Sequence, residues 1–457
     1  MDERPSYNTW ATSDRLIPKT FVRPFLVFTR VEASSGIILL IAAILAIIWA
    51  NSGFSDTYFA ILDEHLEVTF GGFHLDESVL HLINDGLMAI FFFVVGLEIK
   101  RELVIGDLRD PKTAALPVMA ALGGMIVPAL VYVAFTINEP NGVVHGWGIP
   151  MATDIAFALG IVALLGSRVP PAAKLFLLAL AIADDIGAIT VIALFYTTDL
   201  ELGYLAAAIG GLVVVWIAQR VNIRALIFYI PLAFVIWYFT LESGVHATLA
   251  GVALGFLTPA RPYFKPREFD ARARAILDLH PLEPDSPAAQ ERADHEVVEM
   301  IQTAQESISP LNRLEHNLVG WSSYVIVPVF ALANAGVDFR QVSITEALTS
   351  AVALGVALGL VLGKIFGISL FTFIAVRTGL GRLPRDVTWT HVVGLAAVAG
   401  IGFTVSLFVA SLAFADPETV DLAKVGIFSG SLAAGIVGAL VLLRTEKKEQ
   451  PAPTTLA

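Results

Sequence analysis

Twelve long apolar segments, separated by short polar stretches, run through this chain of 457 residues. Most are long enough to cross the hydrocarbon core of a bilayer as helices, which takes about 20 residues, and too long to be buried strands. The pattern predicts an all-α membrane protein with twelve transmembrane helices. The segments lie near residues 33–51, 80–99, 113–136, 144–166, 174–197, 202–219, 224–240, 244–259, 316–336, 347–376, 390–414 and 420–443.

The basic residues predict the orientation of these spans. Cytoplasmic loops of membrane proteins carry an excess of Lys and Arg. If the N-terminus is cytoplasmic, the 29 lysines and arginines fall on the cytoplasmic side with three exceptions. Arg340 and Lys424 lie in outside loops, and Lys364 lies within a span. The sequence therefore predicts cytoplasmic tails at 1–32 and 444–457, the second of them disordered, around a transmembrane domain at 33–443.

The composition agrees with this class. Hydrophobic residues make up 56% of the chain and charged residues only 15%, and the mean hydropathy is +0.74, whereas soluble domains are about 25% charged. The net charge of −12 and the lack of a basic stripe argue against nucleic-acid binding. With no cysteine, disulfides and thiolate metal sites are excluded. We expect no cofactor, and membrane lipids as the surrounding partners.

The first outside loop contains a short alternating stretch, Leu66–Leu75, around Gly71 and Gly72. Such alternation about two glycines predicts a β-hairpin. A local staple for the loop and a dimerisation element are both open interpretations.

A long cytoplasmic loop, near 260–312, mixes charges of both signs with several prolines. Its spacing predicts an amphipathic helix over Ala289–Ile308, with Val297, Ile301 and Ala304 on one face. A regulatory addition and an inert insertion are equally open.

Two adjacent aspartates, Asp184 and Asp185, lie in the middle of the apolar stretch Leu175–Thr197. A carboxylate at mid-membrane costs roughly 2.5–3.5 kcal/mol on insertion scales, so intramembrane acids indicate function. Neighbours on a helix point about 100° apart, so one can line an ion path while the other faces a packed helix. Carboxylate oxygens can hold Na⁺ or a proton.

Two spans have the composition of interrupted helices. In the fourth, Pro150 precedes Thr153 and Asp154, and in the eleventh a glycine-rich stretch leads into Thr404 and Ser406. The predicted topology gives these spans opposite directions. Paired broken helices of opposite direction are typical of inverted-repeat transporters with a site at mid-membrane, which predicts a repeat of spans 3–5 in spans 10–12.

Other ionisable residues near the predicted membrane are ambiguous. Lys364 is the natural countercharge for a buried carboxylate, but desolvation also favours a neutral lysine, so it could carry a proton or serve only as a structural partner. Asp85 lies near the outside end of span 2, and a functional intramembrane acid and a residue at the membrane interface are equally open interpretations. Glu98 lies beside Lys100 and Arg101 at the cytoplasmic end, where solvated charge is ordinary.

Several motifs together resemble the NhaA-type bacterial Na⁺/H⁺ antiporters, themselves a known example of inverted repeats. The ATDIAFALG and ADD combination is the most specific of them, and the resemblance extends from about span 1 to span 12. The matching stretches are Ile83–Leu103, Ala152–Pro170, Leu178–Thr197, Ser243–Phe256, Phe330–Val337 and Gly363–Phe371.

The resemblance implies roles for individual residues. Asp184 and Asp185 would bind the transported Na⁺ or Li⁺ and the protons, with Lys364 beside the second aspartate. Thr153 and Asp154 would lie at a crossing of extended chains, where the aspartate compensates helix dipoles. The pH-response candidates are Glu98, Glu102 and Glu315, and Asp85 is a further intramembrane acid.

The resemblance also implies a setting for the protein. It would be a homodimer, formed through the outside hairpin, in a bacterial inner membrane. It would exchange internal Na⁺ for a larger number of external protons by alternating access, and so regulate pH and sodium. The length of the cytoplasmic loop departs from the family pattern.

Two other classes fit the sequence less well. An intramembrane aspartyl protease needs two aspartates on separate, facing helices, whereas Asp184 and Asp185 are neighbours, and the usual Gly-x-Gly-Asp element is missing. A cation channel needs a ring of acids or carbonyls around a continuous pore, and a lysine facing the path argues against one. The sequence therefore favours a secondary active transporter over an enzyme.

Overall fold

The computed structural model describes residues 34–70, 73–139, 143–197, 200–279, 286–340 and 344–445. Most of these residues are helical. The helices and strands, in chain order, are α1 Ser34–Ala50, α2 Ser55–Asp63, β1 His65–Phe70, β2 Phe73–Ser78, α3 Val79–Val104, α4 Pro111–Thr136, a 3₁₀ helix Val143–Met151, α5 Ile155–Leu164, α6 Pro171–Phe195, α7 Leu202–Arg220, α8 Leu226–Glu242, α9 Thr248–Leu257, α10 Pro266–Leu279, α11 Pro287–Glu306, α12 Pro310–Asn334, α13 Ile344–Thr349, α14 Ala351–Arg377, α15 Trp389–Val398, α16 Phe403–Ala413 and α17 Pro417–Leu443.

Among the described residues, seven helices are long and apolar enough to cross a membrane: α3, α4, α6, α7, α12, α14 and α17. Three further candidate spans consist of two short helices with a sharp bend between them. The bends are 110° between α1 and α2, 40° between the 3₁₀ helix and α5, and 48° between α15 and α16. Together with the shorter apolar helices α8 and α9, they occupy all twelve apolar segments of the sequence. An all-α, multi-pass membrane protein is confirmed, whereas twelve crossings and their orientation stay predictions.

The chain divides into two compact units by its internal contacts. Unit 1 comprises the described residues up to Leu80, Ala114–Val191 and those from Val327 onwards. Unit 2 comprises His81–Thr113 and Ile192–Ile326. Unit 1 contains spans 10–12 and most of spans 3–5, the two halves of the predicted inverted repeat; their symmetry stays a prediction.

Unit 1 contains the two helix interruptions that the sequence predicts. The chain leaves the helical conformation after Met151, is extended at Asp154, and enters α5 only at Ile155. The second break lies between Val398 and Phe403, where the stretch around Gly400 leaves the helix. The prediction of interrupted helices in spans 4 and 11 is confirmed.

Close backbone contacts hold α4 against α14 in unit 1. A Cβ added at Gly123 would collide with the backbone carbonyl of Gly367, and one added at Gly363 would come within 2.6 Å of Pro128 Cα. Only glycine therefore allows this approach. A π-helical turn, Gly359–Gly363, lies in α14 immediately before Lys364. The contact between α4 and α14 thereby positions the part of α14 that carries Lys364.

Unit 2 is also built on glycine contacts. In α3 and α9, added Cβ atoms at Gly96 and Gly251 would meet the backbone of Val252 and Ala89. Another π-helical turn, Leu82–Leu87, interrupts α3 near its start.

The predicted hairpin is confirmed. Strands β1 and β2 pair antiparallel, with Val68 opposite Leu75 and His65 opposite Ser78. Gly71 and Gly72, on which the prediction centred, lie outside the described residues.

The long loop near 260–312, which the sequence predicts to be cytoplasmic, forms the helices α10 and α11. A helix near the predicted range is confirmed, and Ser286 caps it by accepting from the Ala289 amide. Its buried side chains include Ala289 and Ala293, whereas Val297 and Ile301 on the predicted apolar face are exposed. Of the predicted tails, 1–32 and 444–457, all residues but Arg444 and Thr445 lie outside the described part of the chain.

Candidate functional site

Asp154 lies where the two interrupted helices meet, and its carboxylate caps both of them. Oδ1 accepts from the amide of Phe157, in the first turn of α5, at 3.1 Å. Oδ2 accepts from the amide and the hydroxyl of Thr404, in the first turn of α16, at 3.2 and 2.6 Å. The Asp154 amide in turn donates to the Ile401 carbonyl at 2.6 Å. One buried anion therefore faces the positive ends of two half-helices.

Lys364 is the counterpart of Asp154: it places a positive charge at the C-terminal end of a helix. Its ammonium donates to the carbonyl of Met151, at the C-terminal end of the 3₁₀ helix, and to the Thr153 hydroxyl at 3.0 Å. It also donates to Oδ2 of Asp184 at 2.6 Å, and the lysine has no exposed surface. A cation at a helix C-terminus and an anion at two helix N-termini are the arrangement that compensates helix dipoles.

This geometry corrects one expectation. The resemblance implied that Lys364 lies beside the second aspartate, Asp185, whereas the structure pairs it with the first, Asp184. The reason is rotational: neighbouring residues on a helix differ by about 100°, and the packing of α6 turns Asp184 towards α14. Asp185, which is 8% exposed, leaves α6 in another direction.

Thr153 connects the ion pair to the second interrupted helix. Its hydroxyl lies 2.7 Å from Asp184 Oδ2 and 2.8 Å from the carbonyl of Ala399. Because a hydroxyl has one proton, it donates to only one of these acceptors at a time. The Thr153 hydroxyl can therefore end its hydrogen bond to Asp184 and still donate to the Ala399 carbonyl.

Asp184 has one oxygen engaged and one not. Oδ2 accepts from Lys364 and lies within hydrogen-bonding distance of the Thr153 hydroxyl, whereas Oδ1 is buried and accepts no hydrogen bond from the described part of the chain. A buried acceptor without a donor costs free energy. That oxygen is therefore suited to a cation or a proton.

Ser406, one turn into α16, donates to the Ile149 carbonyl at 2.7 Å. The signal for this hydroxyl and for Thr404 was visible in the sequence, since both are polar positions within an apolar run. The carbonyls of Met151 and Ala399 were missed, because a backbone acceptor leaves no residue-type signal.

The other predicted residues lie in unit 2. Asp85 is half-buried in the π-helical turn of α3, and its carbonyl accepts from the Trp237 indole at 2.9 Å. At the other end of α3, Arg101 bridges Glu102, at 3.2 Å, and the buried Glu315 of α12. Two of the three pH-response candidates therefore share one arginine.

Glu98 is half-buried on α3, one turn before Arg101 and Glu102. Its neighbour Lys100 donates to the carbonyls of Phe256, in the last turn of α9, and of Thr258, directly after α9. Both basic residues near Glu98, Lys100 and Arg101, therefore have hydrogen-bond partners in the protein.

A buried ion pair between α6 and α14 lies next to the breaks of two interrupted helices, in a chain with several helices able to span a bilayer, and such an arrangement is typical of membrane ion transporters. The chain belongs to the Na⁺/H⁺ antiporter family, whose family model, described as Na+/H+ antiporter 1, matches residues 27–442. Membership confirms the resemblance, and places the chain among transporters, not enzymes.

Relatives named Na(+)/H(+) antiporter NhaA cover nearly the whole chain. The protein of Syntrophobacter fumaroxidans is 43% identical over 99% of this chain and 96% of its own length. That of Anaeromyxobacter sp. is 47% identical over 94% of each. That of Oleidesulfovibrio alaskensis is 44% identical over 93% of this chain and 96% of its own length.

Proposed function

We propose that the chain exchanges cytoplasmic Na⁺ or Li⁺ for external H⁺, with Asp184 and Asp185 as the groups that bind the cation and the protons. The observation that carries this proposal is the state of Asp184. It is a fully buried carboxylate with one oxygen paired to Lys364 and the other without a donor in the described chain. A small cation that prefers oxygen ligands fits this environment better than any neutral substrate.

Lys364 acts as an internal competitor of Na⁺ in this proposal. Its ammonium lies 2.6 Å from Asp184, the distance at which a bound cation would itself sit. We propose that Na⁺, when it binds, displaces the lysine from Asp184 and that the lysine then gives up its proton. Asp185 supplies a second titrating carboxyl. Exchange of more than one proton for one Na⁺, and hence electrogenic transport, follows.

Alternating access is the mechanism we propose for the exchange. In the inward-facing state the carboxylates release protons and bind Na⁺, and in the outward-facing state Na⁺ leaves and protons return. Asp154 supports this mechanism because it caps both half-helices and so holds their ends next to the site in either state. Because both oxygens of Asp154 are engaged in these caps, it is not available as a second protease aspartate.

The cluster of Glu98, Arg101, Glu102 and Glu315 is our candidate for a pH response. Because the carboxylates share one arginine, protonation of one changes how strongly the arginine binds the other.

Homodimerisation through the hairpin is a further proposal, supported by the exposed Leu66 and Val68 on β1. The family supports a multi-pass membrane location, and we propose the bacterial inner membrane with both termini cytoplasmic.

The test is a pH-gradient dequenching assay in everted vesicles, with Na⁺, Li⁺ and K⁺ added in turn. We expect Na⁺ and Li⁺, but not K⁺, to collapse the gradient. Asp184→Asn and Asp185→Asn should each abolish or nearly abolish this response in normally inserted protein. Asp110→Asn, which changes an exposed carboxylate before α4, is the matched control. Wild-type exchange in both site variants would contradict the proposal.

A further inference from the structure

The first half of the second interrupted helix, α15, begins in a cap that depends on a histidine. Thr388 is the N-cap residue and His391 is the third residue of the helix, buried at 6% exposure. The His391 amide donates to the Thr388 hydroxyl at 3.4 Å. The Thr388 amide donates back to Nδ1 of His391 at 3.1 Å, and the hydroxyl lies 2.8 Å from the same nitrogen. Histidine thus takes the place that Glu or Gln has in an ordinary capping box.

The partners of the ring fix its protonation state. A backbone N–H can only donate, so Nδ1 must accept and carries no proton. Nε2 lies 3.2 Å from the Arg168 carbonyl, which can only accept, so Nε2 must carry the proton. The ring is therefore neutral in this arrangement. A proton added at Nδ1 would face the Thr388 N–H donor and remove its acceptor.

The groups around the ring tie three segments of unit 1 together. Arg168, after α5, presents its carbonyl to His391 and to the Thr445 hydroxyl at 3.2 Å, beyond α17. Its guanidinium points elsewhere and donates to the Leu443 carbonyl at 3.1 Å. The other charged residues nearby in sequence, Arg385 and Asp386, lie on the loop that leads into α15.

The other end of α15 reaches the ion site. The helix has ten residues, ending at Val398, and the next carbonyl, Ala399, accepts from Thr153 at 2.8 Å. A helix of this length is a rod of about 15 Å. A change in its anchoring at Thr388 is therefore passed to the carbonyl that shares the Thr153 hydroxyl with Asp184.

We propose that His391 is a positioning residue of the ion site, whose protonation at acid pH releases the first turn of α15 and thereby lowers the maximal exchange rate. Histidine is the side chain whose charge changes within the physiological range. A proton at Nδ1 removes the acceptor of the Thr388 N–H, one of the two reciprocal bonds of this capping box, and caps of this kind change the opening equilibrium of a helix end by roughly fivefold. The effect on rate rests on the proposed function, whereas the effect on the helix does not.

Hydrogen–deuterium exchange of the peptide that covers α15 tests the helix directly in purified full-length protein. Exchange rates are corrected for their intrinsic pH dependence and compared from about pH 5 to about pH 8. We expect protection of the first turn to fall by roughly fivefold at the acid end in the wild type. His391→Asn, whose side-chain oxygen replaces Nδ1 and does not titrate, should show no such fall. Unchanged protection in the wild type, or an equal fall in His391→Asn, would overturn the proposal.

Maximal exchange rates at saturating Na⁺ test the link to the site. Competition between Na⁺ and H⁺ changes the KM, so a change in maximal rate separates the two effects. His391→Asn and His391→Gln should retain several-fold more of their maximal rate at the acid end than the wild type does. His295→Gln, at an exposed position on α11, should follow the wild type. If the maximal rate falls equally at acid pH in all four proteins, His391 has no role in transport. The hydrogen–deuterium exchange measurement would still test its effect on the helix.

Discussion

Lys364 and Asp184 form an ion pair of 2.6 Å in which neither side chain is exposed to solvent. Removing one partner of such a pair leaves an uncompensated buried charge, whereas removing both does not. This asymmetry makes the pair testable by stability as well as by transport.

Lys364→Met should destabilise the protein by about 3–5 kcal/mol and abolish exchange, because Asp184 is left charged and alone. In the double variant Lys364→Met with Asp184→Asn, much of the stability should return while exchange stays lost. Thermal unfolding in detergent measures the first effect and vesicle assays the second. Equal instability of the single and double variants would mean that the pair is not the source of the cost.

Lys364→Arg separates two roles of the lysine. Arginine keeps the positive charge but does not deprotonate in proteins. If Lys364 carries a proton, as we propose, this variant should exchange poorly even when it is well folded. Near-wild-type exchange by Lys364→Arg would restrict the lysine to an electrostatic role.

Asp154→Ala should cost more stability than loss of an ordinary cap, since one carboxylate serves two half-helices. An N-cap is worth about 1 kcal/mol, so we expect roughly 2 kcal/mol here, together with slower exchange. Asp416→Ala is the control, because Asp416 caps only α17, through the amide of Thr419 at 3.0 Å. A smaller loss in Asp154→Ala than in Asp416→Ala, by thermal unfolding, would contradict the double-cap interpretation.

Gly123→Ala should destabilise unit 1, because the new Cβ would meet the backbone of Gly367 and neither backbone can yield easily. Overpacking of this kind costs roughly 1–3 kcal/mol. Gly210→Ala on α7, where a Cβ meets nothing within 4 Å, is the matched control. If both variants unfold at the wild-type temperature, α4 and α14 are not held by this contact.

The hairpin should weaken as the pH rises. The Asp76 carboxylate, which hydrogen bonds to the His65 ring at 2.9 Å, raises the pKa of His65. A raised pKa means that protonation favours the paired state, so its contribution is fully present below the ordinary pKa of about 6.5 and is lost as the pH passes the raised value. Corrected amide exchange of β1 and β2 should therefore quicken through this window in the wild type but not in His65→Asn. A matching pH dependence in the variant would assign the effect to other groups.

Much of this architecture could be predicted from the sequence, for identifiable reasons. Apolar length located every candidate span, and Pro150 with the glycines around Gly400 located both interruptions. The rotation of α6 could not be predicted, because adjacent aspartates have the same sequence signal and only packing decides that Asp184 faces Lys364. The 110° bend between α1 and α2 was missed for a similar reason. Nor could the buried face of α11 be predicted, since the sequence does not show which side of it the preceding helix α10 packs against.

The central claim is that Na⁺ and protons compete for the carboxylates of Asp184 and Asp185. The most direct test is the KM for Na⁺ of purified, reconstituted protein, measured against pH on the binding side. With one competing proton, the KM should rise about tenfold per pH unit on the acid side of the site's titration, equivalent to about 1.4 kcal/mol, and level off on the alkaline side. Binding of Na⁺ elsewhere, with protons acting only through the Glu98 end of α3, would instead change the maximal rate. A KM for Na⁺ that stays constant across the active pH range would contradict the account.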